Sequence, residues 1–212
     1  MTRILFGLGN PGPEYRHSRH NFGAMVVEEF SRRIPIRKKG RRWHGLWALG
    51  IWKEEEIHLV RPLTFMNLSG LSVKSAIEHI HFPLHSLLVI CDDFALPFHE
   101  IRIRRKGSSG GHKGLESIEN ALQTSEFPRL RLGIGPIPEG ISPEDFVLSP
   151  FTPEESAFLP SFIDCAIQAI FCWMEEGIEV AMRTFNRKKP ALNPLSSPEI
   201  FRKPENPEEV AD

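Results

Sequence analysis

The fold turns on how one stretch is parsed: Ile4-Leu5-Phe6-Gly7-Leu8-Gly9-Asn10-Pro11-Gly12-Pro13. The apolar run from Ile4 to Gly9 is too short for a helix and reads as a buried strand. It stops at Asn10-Pro11-Gly12-Pro13, where two prolines and a glycine enforce a loop. Gly7, Gly9 and Gly12 also spell G-x-G-x-x-G directly after a strand, the form of a dinucleotide-binding turn. That turn works only when a helix begins inside it and presents its amino terminus to a pyrophosphate. Here prolines flank the third glycine, no helical pattern starts before about residue 20, and no acidic residue closes a second strand at the usual distance. The stretch is a strand followed by a plain loop.

Working outward, Phe22, Met25, Val26 and Phe30 recur at helical spacing between about Asn21 and Ile34. Strands are expected near 46–52 and 57–61, then a helix from about Met66 to His79. Ser86 to Cys91 is a continuous apolar strand ending in Asp92-Asp93. Ile101 and Ile103 alternate with Arg102 and Arg104, the pattern of a half-exposed strand. Gly107 to Gly111 is a flexible loop, Leu115 to Leu122 a helix, and Arg129 to Gly135 a strand. A helical tract from about Pro153 to Thr184, in one or two pieces, buries Cys165, Ile170, Cys172 and Trp173. Strands alternating with helices predict an α/β protein: a three-layer αβα sandwich around a mixed, mostly parallel sheet. In such sheets the loops at the carboxyl ends of the strands build the site.

Of 212 residues, 41% are hydrophobic and 25% charged, the balance of a soluble globular chain able to bury a core. No run of about 18 uncharged apolar residues exists, and residues 1–15 lack a secretory pattern, so neither a membrane span nor an export signal is expected. Cys91, Cys165 and Cys172 show no metal-ligand spacing and read as reduced thiols in the cytoplasm. From Arg187 on, five prolines and little apolar content predict a disordered tail over 187–212, behind one domain over 1–186. The net charge of −1 conceals an asymmetry: residues 1–113 carry 18 Lys and Arg against 10 Asp and Glu. Either the first half meets a polyanion, or the two halves pair their charges across the fold.

Three loops hold candidate chemistry. Gly107-Ser108-Ser109-Gly110-Gly111 matches G-x-S-x-G after a strand, but a nucleophile-elbow serine needs its acid and then its histidine later in the chain. Only His112 follows Ser109, so the order fails; a His20, Asp92, Ser109 triad stays open on geometric grounds. His20 opens a helix and Asp92 ends a strand, where a carboxylate can fix one imidazole tautomer and raise its basicity. Asn10 and Asn67 sit where an amide can donate to a carbonyl oxygen. The pairs His17–His20 and His79–His81 lack a third ligand, so no zinc or other cofactor is expected. Arg102, Arg104, Arg105 and Lys106 form a phosphate track, and Arg32 to Arg42 adds seven basic residues, either a second track or a solvated loop.

Six ordered blocks then carry a resemblance: G-L-G-N-P-G-P-E-Y at 7–15, S-R-H-N-F-G at 18–23, T-F-M-N-L-S-G at 64–70, D-D at 92–93, K-G-S-S-G-G-H-K-G at 106–114 and R-L-R-L-G-I-G at 129–135. Together the chain resembles the bacterial-type peptidyl-tRNA hydrolases, with thinner similarity to about residue 185. The resemblance implies a monomeric cytoplasmic enzyme that cleaves the ester between a peptide and the tRNA 3′ ribose, freeing tRNA from stalled translation. It implies His20 as general base and Asp92 as its orienting carboxylate. It implies Asn10 and Asn67 as substrate-contacting amides, with Tyr15, Phe65 and Met66 lining the peptide and 3′-end site. Arg104 and Arg131 match basic positions that face tRNA phosphates at the acceptor end.

Two positions depart from the family pattern. Lys113 stands where relatives usually carry Asn in G-G-H-N-G, and Ala95 where they usually carry a second aspartate. An amide donates and accepts, whereas an ammonium only donates, so Lys113 is suited to a phosphate or the terminal ribose. A branch of the family that binds RNA as a splicing factor without hydrolysis is the alternative; the retained His20 and Asp92 speak for catalysis.

Overall fold

The computed structural model describes residues 2–186. The expected tail over 187–212 lies outside the described residues. In chain order the strands are β1 (Arg3–Gly7), β2 (Ile36–Arg42), β3 (Gly45–Trp52), β4 (Glu55–Pro62), β5 (Leu87–Pro97), β6 (Ile101–Arg104) and β7 (Arg129–Gly135). The helices are α1 (Phe22–Phe30), α2 (Ser69–Ile80), α3 (Lys113–Leu122), α4 (Pro143–Leu148), α5 (Pro153–Glu176) and α6 (Ile178–Phe185). One seven-stranded sheet has the order β2-β3-β4-β1-β5-β7-β6. Its four inner strands, β4, β1, β5 and β7, are mutually parallel, while β3 and β6 run against their neighbours.

β1 shows why the quoted stretch folds as it does. Leu5 packs into one core and Ile4 and Phe6 into the other, all fully buried. A parallel strand covered on both faces reads as an unbroken apolar run rather than as an alternation. Phe22 and Val26 of α1, with Phe162, Ile170 and Trp173 of α5, form the first layer. Val73 and Ala76 of α2, with Leu115 and Ile118 of α3, form the second. The long tract does split, at Gly177 with φ 86°, a conformation that favours glycine. By length and composition α5 also passes as a membrane-crossing helix. Phe162, Ile170 and Trp173 lie buried in the first core, so that apolar face is occupied here.

Three elements differ from the expectation. Ile36–Arg42 is an edge strand, exposed from Arg37 onward, where the sequence reading saw a basic cluster without secondary structure. Edge strands carry Lys and Arg without loss, because only one side of the ladder is paired, so apolar patterning is absent. Asp92 and Asp93 do not end β5 but lie within it, and the six-residue α4 was not foreseen.

Helix α1 approaches the sheet without side chains between. A Cβ placed on Gly23 meets the Ile90 carbonyl oxygen at 2.1 Å, and one on Gly7 meets the Gly23 oxygen at 2.4 Å. Ala24 N–H donates to the Leu8 carbonyl at 2.9 Å, fixing the helix start on the first loop. Gly23→Ala gains up to about 1 kcal/mol of helix propensity. The backbone clash costs more, about 3 kcal/mol. The net loss of about 2 kcal/mol is expected to lower the melting temperature by roughly 4–8 °C. A melt unchanged within about 2 °C would show that the helix yields freely.

Candidate active site

The site opens where β1 stops. Gly7 pairs with Ile90 as the last rung between β1 and β5, and Leu8 N–H still donates to the Ile90 carbonyl at 3.0 Å. Beyond that rung β5 continues its pairing with β7, with Asp92 opposite Leu132. The Asp92 carboxylate, 1% exposed, enters the gap left by β1. His20 reaches it from the helical turn Arg19–Asn21 that precedes α1, and His112 from the glycine loop before α3.

Hydrogen bonds fix both tautomers. His20 Nδ1–H donates to Asp92 Oδ1 at 2.9 Å and lies 3.0 Å from Oδ2. His112 Nε2–H donates to Asp92 Oδ1 at 3.0 Å, because its Nδ1 accepts from the Gly114 and Leu115 N–H groups at 3.1 and 3.3 Å. His112 is thus the amino-terminal cap of α3, satisfying orphan donors of its first turn. Burial alone lowers the pKa of His20, but the charge of Asp92 and its hydrogen bond outweigh that and hold it above the ordinary 6.5. Burial likewise pushes Asp92 up, and the two imidazoles overcome it, holding the carboxyl far below the usual carboxylate range. His20 Nε2 is left without a protein partner among the described residues, on a side chain that lines a cleft of about 610 Å³.

Asn10 is locked beside it. Its N–H donates to Asn21 Oδ1 at 2.7 Å, Asn21 Nδ2 returns a bond to the Asn10 carbonyl at 3.0 Å, and Asn10 Oδ1 accepts from Met66 N–H at 2.8 Å. With the side-chain oxygen committed, Asn10 presents its Nδ2 donor to the cleft. Phe65, Met66 and Asn67 form one wall, Gly111 to Lys113 a second, and Val147 and Leu148 of α4 a third. Phe65 is 55% exposed, an apolar face suited to a side chain or a base. Arg19, next to His20, anchors α4: its guanidinium donates to Ser149 Oγ at 2.6 Å and to the Pro150 carbonyl, and pairs with Glu155 at 2.5 Å.

Of the residues singled out in the sequence, His20, Asp92, Asn10, Phe65, Met66, Asn67 and Lys113 converge on this cleft. Tyr15 does not line it; Tyr15 lies in the short helical turn Pro13–Tyr15, and its carbonyl accepts from Ser18 Oγ at 2.9 Å. Arg131 pairs with Asp93 at 3.1 Å and donates to the Ser108 and Ser109 carbonyls at 2.7 and 3.0 Å. Arg104 is exposed on β6 and is not among the residues that line the cleft. Ser109 Oγ accepts from Gly111 N–H and bonds no histidine among the described residues, so the three-residue triad does not form. His112 was missed: in sequence it entered only as a failed partner for Ser109. The signal was a histidine between a glycine loop and a helix start.

His20, Asp92 and His112 also bring three metal-ligand atoms within 4.8 Å of one another. This donor set is not the pair of histidine motifs weighed in the sequence. Here the two ring nitrogens that face Asp92 both carry protons and donate to it. A cation would have to displace both.

A buried carboxylate orienting one imidazole, with the free nitrogen over a cleft edged by an amide donor, is an arrangement able to activate water directly. The chain belongs to the peptidyl-tRNA hydrolase family, whose model it matches over residues 4–193. It is 42% identical over 184 residues to the peptidyl-tRNA hydrolase of Syntrophomonas wolfei, covering 87% of this chain and all of that one. It is 46% identical over 186 residues to that of Methylacidiphilum infernorum, covering 86% and 96%. The crystal structure of peptidyl-tRNA hydrolase from Acinetobacter baumannii superposes with a TM-score of 0.82 at 30% identity, covering 90% of this chain and 97% of that one.

Proposed function

We propose that the protein hydrolyses the ester joining a peptidyl group to the 3′ ribose of tRNA, acting in the cytoplasm as a monomer on the acceptor end. His20 Nε2 takes a proton from water as the water oxygen bonds to the ester carbonyl carbon. Asp92, through Nδ1, stabilises the imidazolium that forms. Asn10 Nδ2 is placed to donate to the oxygen that gains charge. The tetrahedral centre then expels the ribose oxygen, which takes the proton back from Nε2, leaving a free peptide acid and tRNA. No side-chain nucleophile or metal takes part in this sequence of steps. The observation that carries the reading is the His20–Asp92 pair with Nε2 free on the cleft wall. Release of free tRNA from an N-blocked aminoacyl-tRNA by the purified chain tests it, and no release under any salt condition would overturn it.

Lys113 is one of the two positions that depart from the family pattern. It is exposed, pairs with Glu116 at 3.3 Å, and lines the cleft. A contact with phosphate steepens the log–log salt dependence of binding by about 0.7 to 0.9. Lys113→Asn is therefore expected to flatten the salt dependence of tRNA binding by that amount, with kcat changed less than about tenfold. Equal slopes for the two proteins would remove Lys113 from the phosphate contacts.

A further inference from the structure

We infer that the outer edge strand β2 is a second RNA-binding face, which grips the phosphate backbone of the tRNA whose 3′ end lies in the cleft; the inference rests on the hydrolase reading above. Arg37, Lys38, Lys39 and Arg41 project from an edge strand that is exposed from Arg37 onward and form no ion pair among the described residues. Their neighbours are treated differently. Arg32 and Arg33 are neutralised by Glu28, Glu29 and Asp164, and Lys53 by Glu175. The fold compensates the cations around β2 and leaves those on it free, a concentration of positive charge that self-repulsion disfavours unless an anion meets it.

The strand's geometry suits a polyanion. β2 is paired on one side only, by β3, so its other side presents backbone N–H groups. In its middle stands Gly40, where even a Cβ would meet nothing within 4 Å, leaving the main chain open to close approach. Arg42 lies over the Trp47 ring at 4.5 Å, which holds the carboxyl end of the strand in place. The same charge opposes strand addition by a second copy of the chain.

Location selects the same RNA rather than an unrelated one. β2 runs parallel to β4, so Arg41 and Arg42 stand at the carboxyl edge of the sheet, where the cleft opens. They line a hollow with Leu63 and Thr64, the residues that lead into the Phe65–Asn67 wall. Four interstrand steps separate β2 from β5, which carries Asp92. At about 4.8 Å per step that is roughly 19 Å. A contact that far from the ester falls on phosphates upstream of the terminal nucleotide, beyond the groups that the cleft itself holds.

The test compares wild type with the variant Arg37→Gln, Lys38→Gln, Lys39→Gln, Arg41→Gln on two substrates. One is an N-blocked aminoacyl-tRNA; the other is the same ester on a three-nucleotide fragment of the 3′ end. Loss of four phosphate contacts is expected to flatten the log–log salt dependence on whole tRNA by about 3 and to raise KM roughly tenfold near 0.1 M salt. Rates on the fragment, and kcat on both, stay at wild-type values. Unchanged KM and salt slope on whole tRNA would overturn the inference, as would equal losses on both substrates. If wild type cleaves neither substrate, it is the hydrolase reading that fails. Salt-dependent binding of deacylated tRNA by the two proteins then still decides whether β2 holds RNA.

Discussion

Replacing His20 by alanine is expected to slow hydrolysis of an N-blocked aminoacyl-tRNA by about 10²–10⁴-fold, the range lost with a positioned general base. The substitution removes the imidazole whose Nε2 has no protein partner among the described residues and lies on the cleft with the Asn10 amide. It leaves the walls at Phe65–Asn67 and Gly111–Lys113 in place, so tRNA affinity is expected to hold within a few fold. A fall in kcat with little change in KM is the pattern of an interaction made in the transition state. In wild type the acid limb of the rate profile is expected above pH 6.5, because Asp92 raises the pKa of His20 and only the neutral ring can accept a proton. Wild-type turnover in His20→Ala would remove the mechanism.

Asp92→Asn is expected to cost about 10²-fold or more, although it preserves shape. Asp92 Oδ1 accepts from both histidines, and Oδ2 lies 3.0 Å from the same His20 Nδ1. An amide puts an NH₂ where one of those oxygens was, so a donor faces a donor. The His20 ring relieves this by carrying its proton on Nε2 instead, and the nitrogen over the cleft is then no longer a base. Charge acts in the same direction: without the anion the imidazolium is less stable, the pKa of His20 falls, and the acid limb moves to lower pH. A pH–rate series on both proteins measures these effects. An acid limb that stays in place would mean that Asp92 does not govern His20.

The parts of the site legible in sequence were those that directly follow apolar runs. Asn10 follows a run that can only be a buried strand, and Asp92 follows another, so parallel pairing brings them together. Residues whose role depends on contacts remote in sequence were not legible. His112 acts by capping α3 and bonding a carboxylate twenty positions earlier, and nothing in G-G-H-K-G announces either bond. Arg131 looks like an outward cation on an alternating strand, yet Asp93 on the neighbouring strand and two loop carbonyls claim it. β2 was hidden for the opposite reason: an edge needs no apolar stripe, so its charges masked its conformation.

The glycine contacts at α1 have a counterpart across the sheet. A Cβ on Gly70 meets the Ser117 carbonyl at 2.2 Å, so α2 and α3 touch main chain to main chain, as α1 touches β5 through Gly23. The walls that carry His20, Asn67 and His112 are therefore spaced by peptide groups, which are the same in every protein, and not by side chains, which mutation replaces. Substitutions in the two cores can exchange volume with their neighbours while this internal gauge keeps its length. Evolution is free to rewrite the filling of such a molecule but not its spacers, so its sequence can drift far while the cleft stays the same width.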